Sequence, residues 1–294
     1  MTEVLEEAQW RALDGEHRER VDELTAAHRG RSRRRQKHPV EDFLFTYYSH
    51  RPAQLRRWHP GPDVVLLGDA ARERLAWRWY REAARAGGRV GVRVDVDAFL
   101  ADRGESVAFV RELLSATARR PAQLGCFGLH EWAMVYRQTP DQVRHNAWPL
   151  RFSPAELATI VEQAPLCCTH FDAFRFFTAP ARPRNKLQPT RSDALRLEQR
   201  GCLHANMDLY KWAFKLAPYS PAELIADCFE LARDIREIDM RASPYDLRAL
   251  GFEPIAIETE IGRGEYERWQ RQFADRGEPL RLRLIALCDR LLAG

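Results

Sequence analysis

The chain has no C-x-x-C pair among its six cysteines, Cys126, Cys167, Cys168, Cys202, Cys228 and Cys288, and no zinc-ribbon spacing. Neither a disulfide scaffold nor a structural zinc is indicated, and reduced thiols of a cytosolic protein are the expectation. No stretch approaches the roughly 18 consecutive apolar residues of a membrane span. The opening MTEVLEEAQWRALDGEHRERVDEL is acidic and amphipathic, without the apolar stretch of a signal peptide. A cytoplasmic protein with no membrane partner is expected. Internal repeats at solenoid periods are lacking. Excess charge of one sign is scarce too: 46 Lys and Arg against 42 Asp and Glu give +4, too little to imply a polyanionic partner.

What is present is a chain of 294 residues, 45% hydrophobic and 30% charged, enough for a full core at the upper size of one domain. The patterning predicts a mostly α, multi-helix globular fold with a few short β-strands. A single domain over 1–294 is expected, with 1–38 a helical and basic N-terminal arm and 39–105 a candidate small α/β subregion. The first helix, over 2–28, runs into RGRSRRRQKHP. Such a block is ordinarily a solvated connector; functionally it reads as a phosphate-contacting arm. Residues 64–67 form a candidate strand, and 70–86 a helix stopped by Gly87 and Gly88. Val90, Val92, Val94 and Val96 then alternate at strand period. From Ser106 onward helices are expected over 107–119, 128–138, 153–163, 166–177, 204–216 and 221–240, with two more near the end. PIAIET is a further candidate strand. Pro180, Pro183 and Pro189 mark a loop.

Four segments carry candidate chemistry. In a helix over 166–177, Cys167, His170, Phe174 and Phe177 share one face, so His170 lies in an apolar stripe and needs a partner. It is either a satisfied core histidine or a group facing an aromatic cavity. Asp172 falls with Arg175 as a surface ion pair. In GCLHANMDLYKWAFKL, His204, Asp208, Lys211 and Lys215 share a face that is ordinarily the wet side; turned inward, it makes His204 and Asp208 an orienting pair. GCFGLHEWAMVYR sets His130, Met134 and Arg137 on one stripe with Glu131 beside it. A buried Glu131 requires pairing or a metal. This is not H-E-x-x-H, because position 134 is methionine. Asp239 sits in the apolar stripe of the 221–240 helix near its C-terminus, where the dipole disfavours an anion. A compensating cation is expected from Arg241 or another helix.

The strings KHPVEDFLFTYYSHRPAQLRRWHPG, FGLHEWAMVYR, THFDAFRFFT, GCLHANMDLYKWAFKL and CFELARDIREIDMRASPYDL resemble an actinobacterial protein family commonly labelled 3-methyladenine DNA glycosylase. The resemblance covers nearly the whole chain. It implies a DNA-repair N-glycosylase that releases alkylated bases, has DNA as partner and needs no cofactor. Such an enzyme extrudes the base, stacks it on aromatic faces and sets a carboxylate or activated water against the glycosidic carbon. On this reading Glu131 or Asp208 is the general base and His170 and His204 shape the pocket. Arg33, Arg34, Arg35, Lys37, Arg182, Arg184 and Lys186 would contact DNA. The chain carries neither a helix-hairpin-helix signature nor the Cys/His zinc set of the bacterial enzyme type with that name. Two alternatives stand beside the label. One is a non-haem oxidase or hydrolase with Fe, Mn or Zn held by His130, Glu131, His170, His204 and Asp208. The other is a non-enzymatic nucleic-acid-binding protein using the same basic residues.

Overall fold

The architecture is that of a computed structural model describing residues 2–86, 89–139, 141–143 and 147–293, without the side chains of 84–90. Gly87, Gly88 and the Val90 side chain therefore lie outside the described residues. The fold is mostly helical with one small sheet. Its strands are β1 (Glu3–Leu5), β2 (Val64–Leu67), β3 (Tyr80–Ala86) and β4 (Arg89–Val94), in the order β1-β2-β4-β3. β1 runs parallel to β2 with Glu3 opposite Val64, and β4 is antiparallel to both of its neighbours.

The helix expected over 70–86 is replaced by a 3-10 stretch at Asp69–Ala76 followed by β3. Ala, Arg and Glu favour a helix there, but pairing with the valine-rich β4 overrides that weak preference. Arg74 is buried in the 3-10 stretch, donating to the Trp58 carbonyl at 2.7 Å. Its guanidinium lies 5.1, 5.3 and 4.7 Å from the Trp10, Trp58 and Trp77 rings, so aromatic faces take the place of a counter-ion.

The expected N-terminal arm is instead part of the body. Helix α1 (Glu7–Arg33) buries Trp10 and Val21, and Trp10 Nε1 donates to the Leu67 carbonyl at 2.9 Å. Arg20 bridges Asp227 and Glu230 at 2.9 and 2.7 Å. The short helices α2 (Phe43–Tyr47) and α3 (Pro52–Leu55) follow. α4 (Val96–Arg119) starts eleven residues earlier than expected, its N-cap Asp95 accepting from the Ala98 amide at 3.2 Å.

The helices nearest the site depart from the expected pattern for local reasons. α5 (Leu129–Ala133) is a short helix. It stops because the Ala133 carbonyl, which a continuing helix would use, accepts from the Thr178 amide at 3.2 Å. α6 (Pro154–Gln163) begins with a Ser153–Glu156 capping box. The helix expected over 166–177 shrinks to α7 (Phe171–Phe174). Asn185 holds Cys168 from both sides, accepting from its amide at 2.7 Å and donating to its carbonyl at 2.9 Å. With those backbone groups taken, the chain leading to His170 stays extended, and His170 is the residue before α7.

α8 (Ala194–Leu197) precedes the paired helices α9 (Leu203–Lys215) and α10 (Ala222–Arg241). A single helix α11 (Glu260–Ala293) replaces the two expected near the end and runs through Pro279. PIAIET makes no strand, although Ile255 and Ile257 are buried. α9 packs on α10 and α11, and α11 runs along α4. α9 and α11 approach so closely at Gly277 that a Cβ there would lie 2.5 Å from Asn206 Oδ1. No helix among the described residues is long and apolar enough to cross a membrane.

One pH response follows from the sheet region. Burial pushes His59 down to about 3, helped by the nearby Arg74 charge. Its Nδ1 lies 2.9 Å from the Tyr80 hydroxyl. The unfolded chain protonates this imidazole near 6.5 and the folded chain does not, so stability is held above about 6.5 and lost as pH falls toward 3. Allowing for the residual exposure of His59, about 2 kcal/mol of acid destabilisation is expected from it. Urea midpoints at pH 7 and pH 4 should therefore converge in His59→Gln relative to the parent.

Candidate metal centre and its cavity

The first half of the polar face of α9 turns inward, contrary to its ordinary reading as a wet surface, while Lys215 at its far end is exposed. His204 and Asp208 are both buried. Three imidazoles come together from separate elements: His130 from α5, His170 from the extended segment before α7, and His204 from the first turn of α9. The His130 and His204 ring centroids are 4.5 Å apart and edge-on; those of His170 and His204 are 5.3 Å apart and stacked. His204 thus sits between the other two.

Acids flank the row at both ends. On one side Asp239 of α10 lies 3.2 Å from His130 Nε2. Arg236, one turn earlier on the same helix, reaches Asp239 at 3.3 Å and Glu131 at 2.8 Å. Its guanidinium also covers the Phe43 ring at 3.9 Å. Asp239 is thus compensated by His130 from α5, as expected of another helix, together with Arg236 of its own helix; Arg241 instead approaches Glu237 and Glu265. On the other side His170 Nε2 stands 3.5 Å from both Glu198 and Asp208. Asp208 accepts from the Tyr48 hydroxyl at 2.8 Å and pairs with Lys211. The expected surface pair of Asp172 with Arg175 forms at 3.1 Å.

This environment sorts the three imidazoles. Burial opposes protonation of His130, but the Asp239 carboxylate more than offsets it and holds His130 well above its ordinary range. Asp239 is correspondingly held low, the His130 charge outweighing its burial. Burial also opposes protonation of His170, and the Glu198 and Asp208 charges reverse the balance. His204 goes the other way: burial pushes it well below its ordinary value, and the His130 charge pushes it further. It makes no side-chain hydrogen bond among the described residues, so a central imidazole is left neutral and uncommitted. Burial raises Glu198, whereas Lys211 and His170 overcome the burial of Asp208 and keep it ionised.

The histidine and carboxylate donors of His130, His204 and Asp239 all lie within 4.8 Å of one another, and all three residues are buried. Two imidazoles and one carboxylate form a donor set suited to Fe, Mn or Zn. Of the metal-ligand candidates read from the sequence, His130 and His204 belong to this group. Glu131 is committed to Arg236, Asp208 to Tyr48 and Lys211, and His170 lies on the far side of His204. Asp239, whose place in an apolar stripe reads in the sequence as structural pairing, completes the donor set. Glu198 left no sequence signal: it follows one turn of helix, and only the fold buries it.

A cavity of about 1680 Å³ opens over the row. His204, His170, Glu131, Glu198, Lys211 and Arg236 line it together with the aromatic side chains of Phe43, Tyr47, Trp148, Phe171, Phe176 and Trp212. Of the seven basic residues expected to contact DNA, only Lys37 lines this cavity. Arg33, Arg34, Arg35, Arg182, Arg184 and Lys186 are exposed elsewhere, with Arg184 donating to the Glu162 carbonyl at 2.6 Å and Arg182 to that of Arg175 at 3.1 Å. Compared with family models, curated proteins and solved structures, the chain matches none.

Proposed function

We propose that the protein is a non-haem metal-dependent oxidase or hydrolase whose metal is held by His130, His204 and Asp239. The observation that carries this reading is the convergence of those three donors within 4.8 Å, behind a cavity that His204 itself lines. Three protein ligands leave coordination positions for water or substrate, as catalytic sites require and closed structural sites do not.

Charge supports the same reading. Four buried carboxylates, Glu131, Asp239, Asp208 and Glu198, face two side-chain cations, Arg236 and Lys211. When all four are ionised, two negative charges need compensation. Protons on His130 and His170 supply it in one state, and a divalent cation with neutral imidazoles supplies it in another. Bound there, a metal would act as a Lewis acid or activate oxygen or water. Arg236 would fix Asp239 as a ligand from behind, and His170 with Glu198 would exchange protons at the cavity surface.

Elemental analysis of protein purified without chelator, and again after reconstitution with iron, manganese or zinc, tests this. One equivalent per chain is expected. Less than a tenth of an equivalent for all three ions rejects the reading.

The DNA-glycosylase expectation is a second proposal, favoured by the aromatic walls that would stack an extruded base. Of its two candidate general bases, Asp208 is held ionised between Lys211 and His170, and Glu131 is tied to Arg236 at 2.8 Å. Glu131 is the one of the two that lines the cavity. Base release from alkylated duplex DNA, lost in Glu131→Gln with the fold intact, would support this reading; no release by the parent protein would remove it.

A further inference from the structure

Three exposed cations line the cavity without a carboxylate partner among the described residues: Lys37, Arg191 and Lys215. Each of the other lining cations with a fixed charge is paired: Arg175 with Asp172, Arg236 with Glu131 and Lys211 with Asp208. Among the lining acids, Glu105 alone has no cation partner among the described residues. The rim therefore carries positive charge in excess of what the protein neutralises itself.

Two of the free cations lie against aromatic faces. Lys215 Nζ is 5.2 Å from the Trp212 ring, which Lys211 also approaches at 4.4 Å, and the Arg191 guanidinium is 5.7 Å from the Phe171 ring. Lys211 and Lys215 are one helical turn apart, a spacing at which like charges repel. Partial burial lowers Lys215, and the charges of Lys211, Arg103 and Arg191 act in the same direction. A protein that gathers cations against one another on the rim of an aromatic-walled cavity stabilises an anion placed among them.

We infer that this rim binds the anionic group of an aromatic substrate. Its phosphate or carboxylate lies between Arg191 and Lys215, and its ring is flanked by Phe171 and Trp212. The inference rests on the cavity being the active centre, and it names the class of molecule that the buried row of histidines faces. The cavity exceeds the roughly 300–1,000 Å³ typical of small-molecule sites, so a substrate larger than one ring fits.

The test is isothermal titration calorimetry with 1-naphthyl phosphate, 2-naphthoate, neutral 2-naphthol and inorganic phosphate, each against metal-loaded and metal-depleted protein. At least one aromatic anion is expected to bind about tenfold or more tighter than both 2-naphthol and inorganic phosphate. Whichever anion binds tighter identifies the group. In the double variant Arg191→Gln/Lys215→Gln, both residues being exposed, that preference should fall to under about twofold while the unfolding temperature stays unchanged. The inference is overturned if 2-naphthol or inorganic phosphate binds as tightly, if the double variant keeps the preference, or if none of the four binds. A preference that survives in metal-depleted protein, in a chain that takes up no metal, would sink the metal reading alone. Metal uptake without any anion preference would sink this inference alone.

Discussion

Arg236→Met lowers the stability of the fold by about 3–5 kcal/mol, the largest single-residue effect expected on stability. Arg236 is 1% exposed and is a cation shared between two buried acids, at 2.8 Å from Glu131 and 3.3 Å from Asp239. Methionine fills much of the same space over Phe43, so the loss is mainly electrostatic: two carboxylates remain in a dry setting with one cation fewer. A fall in unfolding temperature of roughly 10 °C is the expected reading. The double variant Arg236→Met/Glu131→Gln removes one stranded charge with its cation and should recover a third or more of the loss. A single variant within about 1 kcal/mol of the parent would show that Arg236 does not neutralise this cluster.

The second large effect separates binding from stability. His204→Leu should reduce affinity for the metal by about 100-fold or more, since a ligand is lost rather than its support, and loss of support alone typically costs 10–100-fold. The same change should leave the metal-free protein as stable as the parent or about 1 kcal/mol more stable. The His204 side chain makes no hydrogen bond among the described residues whose loss must be offset, and its environment already disfavours the charged ring. His170→Gln, on the far side of the row, should leave metal affinity within about tenfold. The measurements are metal titration against a chromophoric chelator and thermal unfolding of the chelator-treated protein. Full metal affinity in His204→Leu, or a loss in His170→Gln as large, would contradict the assignment of donors.

Helices whose apolar stripe is long and regular were legible in the sequence. α9 and α10 fall within a residue or two of the expected ranges, because burial on one face enforces a 3.6-residue period. The site was legible only in fragments. His130, Glu131, His170, His204 and Asp208 stand out as polar residues among apolar ones, and the structure gathers them. Their partners do not stand out. Arg236 and Asp239 look like an ordinary ion pair three residues apart, and Glu198 looks like a surface acid. The segment around His170 reads as helix in the sequence but is extended, because the Asn185 side chain, seventeen residues after Cys168, captures the backbone groups that a helix would use. Tertiary capture of this kind has no local pattern. The strand β3 was missed for a similar reason, its identity being decided by β4 across the hairpin.

The position of β1 has a further consequence. β2 is a run of four buried apolar residues, Val64 to Leu67, and a bare backbone edge on such a run would be open to a strand from another molecule. The three residues Glu3–Leu5 occupy that edge themselves. They present in its place a short outer strand with a charged first residue, the form in which natural sheets discourage intermolecular addition. A few residues ahead of α1 thus shield an apolar strand from intermolecular strand addition.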